Sequence, residues 1–261
     1  MCLIFIFFDI PYFIEAPFFV KPKKKYTHLF FDLDNTLWNF DENSYCAMQE
    51  SFSYFKLHSG KYTFNQFFDV FSENNKLLWD DYRKGIVQKK DLIRLRFQQT
   101  FDKFCITDID AVEMNDHYLG EMPKQKRLMP GAKMLLDYLK AKGYAMFIIT
   151  NGFSEVQHKK MEAAGIIQYF KKVFVSEVVK APKPARQIFE YALKSANAPK
   201  ISSLMIGDDY YADIAGALSF GIDAAFLNRS KNFDSPEPIG NGNSRNHLYN
   251  IHELQNLTRI L

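Results

Sequence analysis

Cysteine is scarce in this chain. There are three residues, Cys2, Cys46 and Cys105, odd in number and widely spaced. That excludes a disulfide framework and offers no zinc-ligand spacing, so a reducing compartment, the cytoplasm, is expected. An excess of one charge is also lacking: 33 Lys and Arg against 30 Asp and Glu leave +3. Such a balance argues for no nucleic-acid partner. Internal repeats and low-complexity linkers are missing. So is an unbroken apolar run long enough to span a membrane. The apolar stretch from Met1 to Val20 is interrupted by Asp9, Pro11, Glu15 and Pro17, and it has no basic start of the signal-peptide kind. The run Lys21-Pro22-Lys23-Lys24-Lys25 reads as solvated; the alternative is the basic flank of a membrane anchor, although no stable membrane association is expected. Residues 1–25 are therefore set apart as an atypical extension. The expectation is a mis-assigned start, with translation from near Val20 at a valine codon, because the next methionine, Met48, comes too late.

What the chain does have is 261 residues, enough for one domain or a domain with an insert. Its 26 Phe predict an aromatic-rich core. The most informative stretch is Phe30-Phe31-Asp32-Leu33-Asp34-Asn35-Thr36. An apolar run that ends in carboxylates reads as a buried parallel strand delivering them to its carboxyl end, where open α/β sheets place ligands. By composition alone, D-x-D-x-T arises in about one chain of this length in twenty. Three further pieces raise the odds. Phe147-Ile148-Ile149-Thr150-Asn151-Gly152 reads as a strand tipped by hydrogen-bonding groups, with Gly152 allowing close backbone approach to a ligand. Lys183-Pro184 opens a predicted helix from Ala185 to Lys194. Leu204-Met205-Ile206-Gly207-Asp208-Asp209, with Asp213 beyond, is a third strand running into an acidic loop and a helix of small residues.

Each piece has a plainer reading. A strand-terminal Asp is often a helix cap, Thr-Asn-Gly is often a turn, and a Lys before Pro is usually surface. Four such pieces at successive strand ends supply what phosphoryl transfer needs. Carboxylates hold a divalent cation, a hydroxyl and amides hold phosphoryl oxygens, and a Lys neutralises charge. A cluster of Asp suits Mg²⁺.

On these motifs the chain resembles the haloacid dehalogenase-like phosphohydrolase superfamily, and within it the noncanonical pyrimidine nucleotidase (5′-nucleotidase) family. Asp32-Leu33-Asp34-Asn35-Thr36 matches the first superfamily motif, Thr150 the second, Lys183 the third, and Gly207-Asp208-Asp209 with Asp213 the fourth. The narrower likeness lies in Leu29 to Phe40, Tyr82-Arg83-Lys84-Gly85, Arg96-Phe97 and Ile149-Thr150-Asn151-Gly152-Phe153. It covers the chain from about Tyr26 to the C-terminus. Lys180 stands open as an alternative to Lys183, which the following Pro184 and helix favour. Tyr210-Tyr211 is bulkier than the fourth motif leads one to expect, and either packs or narrows the site. The resemblance implies that Asp32 is the nucleophile and Asp34 the acid–base group. It implies that Asp32, Asp34 (through its carbonyl) and Asp208 hold Mg²⁺, that Thr150 and Asn151 bind phosphoryl oxygens, and that Lys183 balances charge and orients Asp32. Asp209 and Asp213 are implied as supporting residues. A carboxylate at position 34 favours phosphate esters over alkyl halides, whose leaving group needs no proton.

The fold class read from these motifs is α/β: a Rossmann-like, doubly wound parallel sheet with a helical cap inserted after the first strand. The core takes residues 26–42 and 124–261, the cap 43–123. Apolar positions Phe64, Phe67, Phe68, Phe71, Leu77 and Leu78 recur at helical spacing. A second helix is predicted from an Asp91 cap to Phe104, and a third after Thr107 or Asp108. Helices are predicted over 128–140, 153–164 and 251–261, short strands over 173–175 and 223–227, and a loop over 228–246. Trp38, Phe40, Trp79 and Tyr82 are candidates to stack on a base, Arg83 and Arg96 to bind its edge; packing is the commoner role for each. The expected partner is a nucleoside monophosphate. The alternatives are a sugar-phosphate or phosphoglycolate phosphatase, a phosphosugar mutase and, remotely, a non-catalytic binding protein.

Overall fold

The computed structural model describes residues 25–58, 60–229 and 246–261. The extension, the proposed start near Val20 and most of the 228–246 loop lie outside the described residues. Six strands form one parallel sheet: β1 (His28–Phe31), β2 (Ala145–Thr150), β3 (Lys172–Val175), β4 (Ser203–Gly207), β5 (Asp223–Leu227) and β6 (Leu248–Ile251), in the order β3-β2-β1-β4-β5-β6. The order reverses beside β1, which pairs with β2 on one side and β4 on the other. That reversal is the crevice position of doubly wound sheets.

The inner strands β1, β2, β4 and β5 are mainly apolar and buried because both faces are covered. Leu29, Phe31, Met146, Ile148, Leu204 and Ile206 point to one layer, Phe30, Phe147, Ile149 and Met205 to the other. The first layer holds α5 (Ala132–Ala141), α6 (Ser154–Ala163) and the C-terminal 3₁₀ turn Leu254–Arg259. After α7 (Ser176–Val179), the second layer is formed by α8 (Arg186–Ala196) and α9 (Gly216–Phe220).

Between β1 and β2 lie four helices: α1 (Phe40–Tyr54), α2 (Phe64–Arg83), α3 (Lys89–Phe104) and α4 (Ala111–Glu121). They pack α2 on α3, α3 on α4 and α4 on α1. Phe52, Phe67, Phe71, Phe97, Phe101 and Tyr118 are buried among them, continuous with the first layer of the sheet. No described helix is long and apolar enough to cross a membrane.

Several element limits differ from the sequence reading, each for a local reason. Helix α1 starts at Phe40, across the 42/43 boundary, because the Asn39 side chain caps it by accepting from the Glu42 amide. Gln88, not Asp91, precedes α3. Asp110, not Thr107 or Asp108, caps α4 through the amides of Val112 and Glu113. Leu128 bridges to Trp38 in a short antiparallel contact, and α5 waits until Gly131 has turned the chain at φ +77°. Ile251 ends a strand rather than opening a helix.

The entry to β1 is tied to the far side of the sheet through Asp223. Its carboxylate accepts from the Tyr26 hydroxyl at 2.5 Å and the His247 amide at 2.8 Å, with Lys25 Nζ at 3.0 Å. Burial pushes this carboxyl up, but those donors outweigh burial and hold it below its ordinary 3.8. A depressed carboxylate stabilises above its unfolded pKa and loses that contribution as pH falls through the folded one. Asp223→Asn is therefore expected to cost about 1.5–3 kcal/mol at pH 7, and the gap from wild type should narrow as the pH drops below 3.8. Urea unfolding at pH 7 and pH 3 checks this; a gap that does not narrow would mean that packing, not charge, is lost.

Candidate active site

The carboxyl ends of β1, β2 and β4 lie side by side and open into a cavity of about 600 Å³. Asp32 follows β1 directly, its amide bonded to the Ile206 carbonyl of β4. The chain then closes a tight loop: Leu37 and Trp38 amides donate to the Leu33 carbonyl, and the Asn35 amide donates to the Trp38 carbonyl at 2.7 Å. Asn35 takes a left-handed conformation, φ +60°, a region its side chain tolerates. This loop brings Asp34 to the cavity beside Asp32.

Lys183 joins the strand ends. Its buried Nζ lies 2.6 Å from Asp32 Oδ1, 2.6 Å from Asp213 Oδ1 and 2.8 Å from the Ile149 carbonyl of β2. Asp32 and the Ile149 carbonyl accept hydrogen bonds from this ammonium, and Asp213 pairs with it by charge. Asn151 holds the same segment from below: its Nδ2 donates to the Lys183 carbonyl at 3.0 Å and its Oδ1 accepts from the Lys183 amide at 2.8 Å. Lys180 is exposed and ends α7, so geometry brings Lys183, not Lys180, to the carboxylates.

The Thr36 hydroxyl donates to Asp208 Oδ1 at 3.2 Å, linking the loop after β1 to the loop after β4. Asp213 Oδ2 accepts from the Asp209 amide, and Asp209 itself accepts from the Tyr211 and Ala212 amides, capping the π-helical turn Tyr210–Ala215. Tyr210 packs edge-on against Phe226 in the second layer, while Tyr211 is exposed; neither lines the cavity. Gly207 is needed for space. A Cβ there would stand 2.1 Å from Asp213 Oδ2.

The electrostatics are lopsided. Burial works against the Lys183 ammonium, yet Asp213 and Asp32 overcome it and raise its pKa above 10.5. Burial pushes Asp213 up to about 7 against the pull of Lys183. Asp32 is raised by burial and by Asp34 beyond what Lys183 offsets, and Asp208 is raised by burial and by Asp32 and Asp213. Asp32, Asp208 and Asp213 each offer an oxygen, all within 4.8 Å of one another. Hard oxygen donors carrying excess negative charge fit a divalent cation such as Mg²⁺. Arg229, which the sequence reading did not single out, reaches the rim, 3.7 Å from Asp208 and 3.4 Å from Asp41.

Thr150 lines the same cavity. Its Oγ1 accepts from the Gly152 amide at 3.1 Å and from Gln157 Nε2 at 2.7 Å, which leaves its own hydrogen to donate. Gly152 lines the cavity, and the position of its missing Cβ is filled by the Gln157 side chain: a Cβ there would meet Gln157 Nε2 at 2.4 Å. Gln157 and Lys160 both contact Asp34. Nothing in the stretch Gln157-His158-Lys159-Lys160 marked them, since helical periodicity does not say which polar residue faces a site.

The far end of the cavity is walled by the inserted helices. Phe40, Phe68, Phe71, Trp79, Arg83 and Arg96 line it with Phe153. Arg96 is buried and pairs with amide oxygens, Asn75 at 3.1 Å and Asn115 at 3.0 Å, with no carboxylate partner among the described residues. Burial lowers its pKa to about 10. Arg83 pairs with Asp80. The two other stacking candidates lie elsewhere. Trp38 is fully buried beneath Lys160, and Tyr82 packs edge-on against Trp79 and Phe153.

Comparison with known proteins follows this geometry. A family model described as haloacid dehalogenase-like hydrolase matches residues 26–221. The chain is 32% identical over 234 residues to the pyrimidine 5′-nucleotidase YjjG of Escherichia coli (strain K12), covering 89% of this chain and 98% of that protein. It is 29% identical over 237 residues to the pyrimidine 5′-nucleotidase PynA of Streptococcus pneumoniae, covering 90% and 95%. Among solved structures it matches that of YfnB from Bacillus subtilis bound to magnesium, with a TM-score of 0.77 and 25% identity over 91% of this chain and 99% of that one.

If Gly207 serves to seat Asp213 against Lys183, Gly207→Ala should lower kcat/KM for phosphate esters by about 10–100-fold, the range seen when an orienting partner is lost. Steady-state assays, with circular dichroism to verify folding, check this. Activity within threefold of wild type would contradict it.

Proposed function

The chain belongs to the haloacid dehalogenase-like hydrolase family, and from that premise we propose that it is a Mg²⁺-dependent 5′-nucleotidase that hydrolyses pyrimidine nucleoside monophosphates through an aspartyl-phosphate on Asp32. One observation carries the reading. Asp32, Asp34, Thr150, Lys183 and Asp208 share a single cavity whose other end is an aromatic lobe with a polar floor. The two pyrimidine nucleotidases, matched over nearly their whole lengths, support the substrate class.

With Asp32 Oδ1 bound to Lys183, Oδ2 is the oxygen that attacks phosphorus. The bond from phosphorus to the 5′ oxygen breaks, and Asp34 gives its proton to the departing oxygen. Asp34 then takes a proton from water, which attacks the aspartyl-phosphate; the bond to Asp32 breaks and phosphate leaves. The Thr150 hydroxyl and the Asn151 amide bind phosphoryl oxygens. Asp32, Asp208 and the carbonyl of Asp34 would hold Mg²⁺, which when bound neutralises phosphoryl charge. Asp213 serves by holding Lys183, and Asp209 by capping the turn that carries Asp213. Helices α1 to α4 act as a cap that keeps bulk water from the reacting centre.

In the lobe, Phe40, Phe68, Phe71, Trp79 and Phe153 offer apolar faces to a base and sugar. Arg96 uses three of its five N–H groups on Asn75 and Asn115. Two donors and an unbalanced charge remain for an acceptor-rich ring edge, which uracil and thymine present through their carbonyls.

Phosphate release with Mg²⁺ from UMP, dUMP, dTMP, CMP, AMP, GMP, phosphoglycolate and hexose phosphates tests the assignment. The uridine and thymidine monophosphates should lead; if sugar phosphates or phosphoglycolate lead, phosphomonoester hydrolysis stands and the nucleotidase reading falls. Asp32→Asn should abolish turnover, and Asp34→Asn should cost about 10²–10⁴-fold. An Asp34→Asn enzyme within tenfold of wild type would refute the acid–base role. Arg96→Met should raise KM for UMP about 10–100-fold, as expected for lost charged hydrogen bonds, with a much smaller effect on p-nitrophenyl phosphate.

A further inference from the structure

We propose that Lys160 and Gln157, on one face of α6, are positioning residues for Asp34, and that Gln157 sets the Thr150 hydroxyl at the same time. The proton-transferring carboxylate and the phosphoryl-binding hydroxyl are then fixed by one side chain. This rests on the acid–base reading of Asp34 given above.

Residues three apart on a helix share a face. Lys160 Nζ donates to Asp34 Oδ1 at 2.9 Å, and Gln157 Nε2 donates to Asp34 Oδ2 at 2.8 Å and to Thr150 Oγ1 at 2.7 Å. Each amide hydrogen of Gln157 thus has its own acceptor. Flipping the amide would aim its carbonyl at a carboxylate, so its orientation is determined. Two donors, one on each oxygen, stop the Asp34 carboxylate from turning. A carboxylate has about four acceptor sites, so these two bonds leave sites for the transferred proton.

The burial of both residues is costly, and packing does not explain it. Lys160 is 3% exposed, and Asp34 is its one ion-pair partner among the described residues. Its ammonium lies 4.3 Å from the Trp38 ring centre and 5.5 Å from that of Phe40. An apolar side chain would fill that space without the desolvation cost of a charge. The Asp34 side chain, by contrast, is 28% exposed and lines the cavity. A buried cation is therefore spent on a carboxylate that faces the substrate space. Gln157 Oε1 is buried with no hydrogen-bond partner, a further cost, so the residue is present for its donors. The main chain is shaped to admit it, through the missing Cβ of Gly152.

The test uses the full chain with Mg²⁺. Lys160→Met, Lys160→Arg and Gln157→Leu are made alone and in the Asp34→Asn background. Rates are measured on UMP, on glycerol 2-phosphate as a second alkyl phosphate, and on p-nitrophenyl phosphate, whose leaving group departs without a proton. Lys160→Met and Gln157→Leu should lower kcat on the alkyl phosphates by about 10–100-fold. For Lys160→Met, KM should stay within about threefold and the loss on p-nitrophenyl phosphate should be about tenfold smaller, because ground-state binding is kept while proton transfer is impaired. Gln157→Leu should show the same preference for loss on the alkyl phosphates and in addition raise KM on all three substrates, because it also frees the Thr150 hydroxyl. Lys160→Arg, which keeps the charge, should recover most of the rate. In the Asp34→Asn background the Lys160 substitution should add nothing, the coupling expected of a residue that acts through another. Equal losses on all three substrates, or a full additional loss in that background, would overturn the proposal. If Asp34→Asn alone retains alkyl phosphate turnover within tenfold, it is the acid–base reading that fails. Should Lys160→Met not fold, Gln157→Leu and Gly152→Ala, which displaces the amide, decide by the same comparison.

Discussion

A single ammonium, that of Lys183, ties three strand ends together: Asp32 after β1, the Ile149 carbonyl in β2, and Asp213 beyond β4. Burying an ammonium costs several kcal/mol. The cost is offset because the ammonium donates to Asp32 and to the Ile149 carbonyl and faces a second carboxylate, Asp213. The pairing also works in the other direction. Without the cation, Asp32 and Asp213 would be like charges sharing a site closed to water, and one would have to take up a proton. The position of Lys183 is itself set by the two hydrogen bonds of Asn151 to its peptide groups. An asparagine that the resemblance implicates only in phosphoryl binding thus also locks the charge network in place.

The same strand end that bears Thr150 bears the contact with the inserted helices. Phe153 follows Gly152 and packs 4.9 Å from Trp79, with Lys89 Nζ 4.3 Å above its ring. Lys89 also pairs with Glu155 and Glu177. Exposed ion pairs contribute little, so the buried aromatic contact carries most of the hold, while Lys89 stays hydrated at the rim. Any tilt of the insert would be felt at Phe153, and through it by the loop Thr150 to Gly152 that lines the cavity. That adjacency gives a physical route from the aromatic lobe to the Thr150 end of the cavity.

Much of this arrangement was legible in the sequence. Apolar runs ending in Asp32, Thr150 and Asp208 declare parallel strands and their carboxyl ends, since only a doubly covered strand is apolar on both faces. The phenylalanines of α2 declare a helix by their spacing. The starts of α6 and α8 were legible to within one residue, but those of α1, α3 and α4 were not, because Asn39, Gln88 and Asp110 compete with equally suitable neighbours and only the formed turn decides. β6 escaped detection because it has four residues at the sheet edge and is mostly half-buried. Trp38 and Tyr82 read as stacking surfaces, yet an aromatic next to a site is as useful packed beneath it. Trp38 serves there as a floor for Lys160.

Two glycines give room to the side chains that support the site. Gly152 sits in a stretch where a glycine suggests a ligand brought close to the backbone, and Gly207 ends β4 just before the acidic loop. Here the space each one leaves is taken by a side chain, Gln157 in one case and Asp213 in the other. Both of those side chains face inward and hold a charged group that lines the cavity. A carboxylate in a shared site is repelled by its neighbours and drawn toward water, so its direction has to be imposed from the protein side. Imposing it takes a polar side chain packed hard against the strand end, and the strand end yields that room by giving up a Cβ. Gly152 therefore lines the cavity and at the same time admits the side chain that aims Asp34, while Gly207 admits the one that aims Lys183.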